Sequence, residues 1–149
     1  TLFRSQLWRR ELGIQITLAP LEQKTWVANQ QAMTYQITSS RWIGDYVDPN
    51  TFLDMWVTDG GNNRTGWGDP RYDALVLQCA PAALEREARY RCFRDAEALL
   101  LEAMPVIPIF FSTRNYLRQP GVRGLPANLL GYPLFKQVYL QAGDVQSDD

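Results

Sequence analysis

Histidine is missing from all 149 residues. That removes the commonest general base and a principal metal ligand, so serine-triad and histidine-based metal chemistry are excluded for this chain taken alone. Neither sign of charge is in surplus: 15 Lys and Arg stand against 16 Asp and Glu, a net charge of −1, and no electrostatic field argues for nucleic acid. No apolar run approaches the roughly 20 residues that a membrane-crossing helix needs, so the chain is not expected to span a bilayer. Cysteine is scarce. Cys79 and Cys92 fall on consecutive predicted helices and read as buried free thiols in preference to a bonded pair. They close no zinc site without other soft ligands and say little about redox compartment. No metal and no cofactor is expected.

What is present is globular: 46% hydrophobic and 21% charged residues in a length suited to one domain. Thr1 is not an initiator and residues 1–12 already read as the middle of a helix, so the chain is expected to be the C-terminal piece of a longer one. Leu2, Phe3, Leu7, Trp8 and Leu12 recur at near-helical spacing, and Gly13 closes that helix. "IQITL" at 14–18 alternates with β-branched residues and predicts a strand. Residues 21–33 predict a second helix with Leu21, Trp26 and Val27 inward, and "TYQITSS" at 34–40 a second strand. Helix, strand, helix, strand is the order of an α/β layer with parallel pairing.

Further along, "NTFLDMW" predicts a short helix that takes Phe52, Leu53 and Trp56 into the core, and "DGGNNRTGWGDP" a loop. Asp69 then caps a helix with Pro70 in its first turn, whose inner face is Tyr72, Leu75, Val76 and Cys79. A long helix is expected from about Leu84 to Ala103, with Tyr90, Phe93, Ala96 and Leu100 inward. Its Glu85, Arg86, Glu87, Arg89, Arg91 and Arg94 read as a solvated face. "MPVIPIFFS" predicts a buried or edge strand, "FKQVYL" the last strand, and the tail "AGDVQSDD" is expected to be disordered.

The densest chemistry lies in "SRWIGDYVDPNTFLDMW". Asp48, before Pro49 and Asn50, reads as a helix start whose carboxylate satisfies free amides; Tyr46 and Phe52 read as packing. Asp45 follows Gly44 among aromatics, where a partly desolvated carboxylate costs several kcal/mol unless paired. Spacing leaves two alternatives for it, an ion pair with Arg41 or a receptor for a cation. The strand-end position of the stretch favours a cleft. A glycosidase pair, Asp45 with Asp48 and Trp42 as a sugar platform, is the rival from another class, disfavoured because Asp48 is committed to the helix start.

The pattern W-x-G-D-Y-x-D-P-x-T-F-L-D from Trp42 to Asp54 resembles the signature region of extracellular solute-binding proteins of family 5, the oligopeptide- and dipeptide-binding receptors of bacterial ABC importers. "WRRELGIQITL" at 8–18, "NNRTGW" at 62–67, "YDALV" at 72–76 and "MPVIPIFF" at 104–111 agree with it, so the resemblance runs from about Leu2 to Leu140. It implies an α/β fold, a partial second lobe of a type II periplasmic-binding-protein fold with a mixed sheet flanked by helices. Residues 1–112 would belong to the second, C-terminal lobe, 113–141 would return toward the first lobe, and 142–149 would be tail. It also implies a binding subunit and not an enzyme: one that captures short peptides in an inter-lobe cleft and delivers them to a membrane permease. Such a receptor is periplasmic, or lipid-anchored in a Gram-positive cell.

By the same resemblance, Asp45 matches the aspartate that pairs with a peptide's α-ammonium group. The segment Arg41–Ile43, which leads through Gly44 to that aspartate, lends backbone groups to the extended ligand. Trp42 matches an aromatic pocket wall, Asn63 a polar cleft residue, and Phe111 a cleft aromatic whose usual hydroxyl is lost. Ser39 stands where enteric receptors carry an arginine, Ile43 where they carry a cysteine, and Gln23 where a tryptophan often lines a pocket; peptide length preference is open on that account. A sugar, opine or metal complex is the alternative ligand within the family.

Overall fold

The computed structural model describes residues 2–113, 115–126 and 128–141; the expected disordered tail at 142–149 lies outside them. The chain divides into two compact units, residues 1–39 and 40–149.

In the first unit, α1 (Leu2–Leu12) places Arg9 and Arg10 in its last turn, where cations complement the helix dipole. Gly13, at φ +67°, ends it as predicted. α2 (Gln23–Gln31) is capped by the Glu22 carboxylate, which accepts from the N–H groups of Lys24 (2.8 Å) and Thr25 (3.2 Å). Trp26 and Val27 are half-buried as expected, but Leu21 is exposed. Neither predicted strand of this unit forms among the described residues. Residues 34–39 are tied to α2 by side chains instead: Gln30, only 3% exposed, donates through Nε2 to Thr38 Oγ1 (3.1 Å) and the Ser39 carbonyl (3.3 Å), and Trp26 Nε1 donates to the same hydroxyl (3.1 Å). Alternation supplies a strand with two faces but no neighbour to pair with.

The second unit holds the core. α3 (Asn50–Leu53) tightens into a 3₁₀ turn over Asp54–Trp56. α4 (Pro70–Ala74) starts at Asp69, whose carboxylate accepts from the Arg71 N–H at 2.8 Å, with Pro70 in the first turn as the sequence predicts. It runs on through a π-helical turn, Leu75–Cys79, into α5 (Ala80–Ala82). α6 (Arg86–Ala103) ends at Met104 in the left-handed region, φ +50°. Leu53, Tyr72, Val76, Ala80, Cys92, Phe93, Ala96 and Leu100 form one buried cluster, with Trp56, Trp67 and Val106 packed against it. Tyr72 sits at its centre, 0% exposed, and spends its hydroxyl on the Leu53 carbonyl at 2.6 Å. Burial pushes that phenol well above its usual range.

Phe52 is half exposed and stays out of the core, where Met55 is buried instead. Cys79 and Cys92 are not free thiols: they form a disulfide with a Cα–Cα separation of 5.9 Å, because the turn between α5 and α6 folds the two helices side by side. Among the described residues the apolar run at 104–112 pairs with no strand, and Ile107, Ile109, Phe110 and Phe111 are exposed. Of "FKQVYL", Phe135–Gln137 is a 3₁₀ turn and Tyr139–Leu140 is β2, paired antiparallel with β1 (Val122–Arg123). Gly124, φ +75°, is required there, since a Cβ would lie 1.9 Å from the Gln137 carbonyl oxygen. Among the described residues no helix is long and apolar enough to cross a membrane.

Candidate functional site

The stretch from Arg41 to Asp48 has no regular secondary structure, so its geometry is set by what it leans on, and that is α3. Gly44 is buried with its α-carbon against α3: a Cβ there would meet the Phe52 ring at 3.0 Å and the Thr51 methyl at 3.1 Å. One residue later the Asp45 N–H donates to Thr51 Oγ1 at 3.0 Å. Thr51 is 1% exposed, so the loop is fastened to an immobile hydroxyl. The Asp45 carboxylate itself is exposed and takes part in none of the ion pairs among the described residues. The Arg41–Asp45 pair that spacing left open does not form. Trp42 is half-buried, and its indole Nε1 is covered without an acceptor among the described residues.

Asp48 is committed elsewhere. Its Oδ1 accepts from the Asn50 N–H at 2.9 Å, the helix-start role that the sequence predicts. Both oxygens also take a fork of two bonds from Arg89 on α6, at 2.6 and 2.9 Å. Arg89 is therefore not part of a solvated face, and its guanidinium lies 4.6 Å from the centre of the Phe93 ring. The Arg89 bonds, with the Asn50 amide behind them, hold the Asp48 carboxyl below the usual range against an opposing desolvation. A carboxylate in a bidentate pair is poorly suited to activate a water, which argues against a glycosidase pair with Asp45.

Ile43, Tyr46, Val47, Phe52, Tyr90 and Leu129 line an open groove of about 450 Å³ beside this loop. Tyr46 and Phe52 are thus groove walls more than core packing, and the Tyr46 hydroxyl accepts from Asn50 Nδ2 at 3.0 Å. Asn63 has its amide fully engaged inside its own loop. Nδ2 donates to the carbonyls of Trp56 (3.2 Å), Val57 (3.0 Å) and Trp67 (2.9 Å), and Oδ1 accepts from the Thr65 N–H (3.2 Å) and hydroxyl (2.8 Å). Phe111 is fully exposed, and no described contact joins it to the Asp45 loop.

Sequence reasoning did not single out Thr51 or Arg89. The signal for Thr51 was the threonine of D-P-x-T-F; for Arg89 there was only a charge among charges.

No family model matches the chain. Among curated proteins, it is 33% identical to the dipeptide-binding protein DppE of Bacillus subtilis over 127 residues, 85% of this chain and 23% of that protein. It is 28% identical to the oligopeptide-binding protein OppA of the same organism, over 91% of this chain and 25% of that protein. Among solved structures, OppA of Burkholderia pseudomallei superposes with a TM-score of 0.83 at 28% identity, covering 94% of this chain and 28% of that one. The chain thus spans about a quarter of the length of the relatives it matches. The likeness places the α/β fold: the chain is a helix-rich part of a type II periplasmic-binding-protein lobe, with a small sheet.

Proposed function

We propose that this chain, which matches oligopeptide- and dipeptide-binding proteins of extracellular solute-binding family 5 over most of its length, is the peptide-facing part of a capture receptor for an ABC importer. In this reading residues 1–112 contribute to the second lobe and residues 113–141 lead back toward the first. The receptor works outside the cytoplasmic membrane and hands its ligand to a permease. The Cys79–Cys92 disulfide supports an oxidising compartment.

The observation that carries the reading is Asp45. An exposed carboxylate in none of the ion pairs among the described residues, on a loop pinned to a buried hydroxyl, is an acceptor open to a ligand's charge. A peptide's α-ammonium group supplies that charge, and enclosure on lobe closure strengthens the charge-assisted bonds. The main chain of Arg41, Trp42, Ile43 and Gly44 pairs with the extended peptide. Trp42 walls a side-chain pocket, in keeping with its half-buried indole beside the Asp45 loop. Asn63 acts by holding its loop in shape, and Phe111 adds an apolar surface. Catalysis has no place in this reading.

Calorimetry of the complete receptor with a free-amine tripeptide, its N-acetylated form, and an Asp45→Asn variant tests it. Acetylation and the substitution are each expected to weaken binding by about 2–5 kcal/mol, the range for removing one partner of an enclosed charge pair. Equal affinity for all three combinations overturns the ammonium anchor. Absence of peptide binding by the unaltered receptor transfers the ligand to the sugar, opine or metal-complex class.

A further inference from the structure

Asp45 has no described side-chain bond to hold its carboxylate in place. What places it is the main chain beneath it, which sets where its Cα–Cβ bond starts, and that main chain is fixed at two adjacent points. Gly44 packs its bare α-carbon onto α3, where a methyl group would press on the Phe52 ring at 3.0 Å and the Thr51 methyl at 3.1 Å. The next N–H, that of Asp45 itself, is taken by the Thr51 hydroxyl. A hydroxyl that is 1% exposed needs a partner. Here an oxygen in the first turn of a helix serves a loop amide six residues earlier.

α3 is in turn prevented from shifting. The Thr51 N–H donates to the Asp48 carbonyl at 3.3 Å, and the Asp48 side chain binds both the Asn50 amide and Arg89 of α6. The path runs from the core helix α6, through Arg89 and Asp48, to the start of α3, and from Thr51 back to Asp45. The main chain that carries the Asp45 carboxylate is held at the end of this chain of bonds, although the carboxylate takes part in none of the ion pairs among the described residues.

We propose that Thr51 is the positioning residue that aims Asp45, and so sets the receptor's preference for ligands with a free amino terminus. This inference rests on the peptide-capture reading above. Thr51 touches no ligand and acts through the Asp45 main chain. Valine has threonine's shape without its hydroxyl, so Thr51→Val removes the anchor with little change in volume, whereas Thr51→Ser keeps it.

In the complete receptor, the ratio of affinities for trialanine and N-acetyl-trialanine is expected to fall about tenfold in Thr51→Val, on the scale of one lost hydrogen bond, and to recover in Thr51→Ser. A ratio unchanged in Thr51→Val, with both affinities intact or both reduced together, overturns the inference and leaves Thr51 a packing residue. A receptor that binds peptide without preference for the free amine even before substitution overturns the ammonium anchor at Asp45, and the Thr51 inference with it; one that binds no peptide overturns the peptide-capture reading itself. Should Thr51→Val not fold, hydrogen exchange at the Asp45 amide of the unaltered receptor decides: protection is expected, and exchange at the rate of an open loop overturns the anchor.

Discussion

Asp48 holds the loop of the candidate site from below. It caps the start of α3, accepts two bonds from Arg89, and leaves only about a quarter of its side chain to solvent, 26%. Because its pKa lies below the ordinary 3.8, the pair contributes stability that is fully present above that value and is lost as pH falls through the depressed one. Arg89→Met should cost roughly 1–2 kcal/mol, between an exposed pair and a buried one. It should also flatten the acid limb of the stability curve below about pH 4, the range in which a released carboxylate would already be titrating. Denaturant unfolding of both proteins from pH 7 downward checks it; parallel acid limbs would show that the pair does not couple to folding.

Residues such as this were half legible. The capping role of Asp48 follows from its place before Pro49 and Asn50, because a cap is a local bond. Its ion pair spans 41 positions of sequence, and nothing local distinguishes Arg89 from Arg86 or Arg91.

At the scale of elements, the contact of α4, its π-turn and α6 makes the core, and the Cys79–Cys92 bond staples it. The bond closes a segment of 13 residues, and a loop of that size stabilises by about 3 kcal/mol through the entropy it removes from the unfolded chain. Reduction under native conditions, or joint replacement of both cysteines by alanine, should lower stability by that order and lower the melting temperature. Calorimetric melting with and without reductant would show it, and coincident melts would mean that packing alone holds α5 against α6.

The helices of this unit were readable because their signals are local. Asp69–Pro70 starts α4, and the spacing of Phe93, Ala96 and Leu100 gives the buried face of α6. The strands were not. "IQITL", "TYQITSS" and "MPVIPIFFS" carry strand composition, yet pairing is a relation between segments, and 34–39 found its hydrogen bonds on Gln30 and Trp26. Where pairing does occur, at Val122–Arg123 with Tyr139–Leu140, only the second partner was foreseen.

Over the whole molecule, much apolar surface lies open. Phe111 is fully exposed, and Ile109, Phe110, Leu129 and Phe135 are more than half exposed. Exposed apolar side chains in this number are in keeping with a chain that spans about a quarter of the length of its relatives. On the proposed reading the 149-residue chain alone offers one wall of a closing cleft, so its affinity for a tripeptide should fall at least a hundredfold below that of the complete receptor. Such a loss corresponds to about 2.7 kcal/mol. Titration of both with the same peptide checks this, and equal affinity would mean that the second wall adds nothing to binding.

The sequence by itself determined the composition class, the end of α1 at Gly13, the starts of α3 and α4, and, through the pattern from Trp42 to Asp54, the family resemblance that the relatives bear out. Each of these is written in residues close together, where capping bonds, periodicity and motif spacing act over a few positions. Only the tertiary structure decided that two scarce cysteines bond, that Arg89 closes on Asp48, and that a buried threonine holds the amide of Asp45. Those contacts exist because folding of the chain brings particular side chains within bonding distance, and spacing in the sequence does not specify that distance.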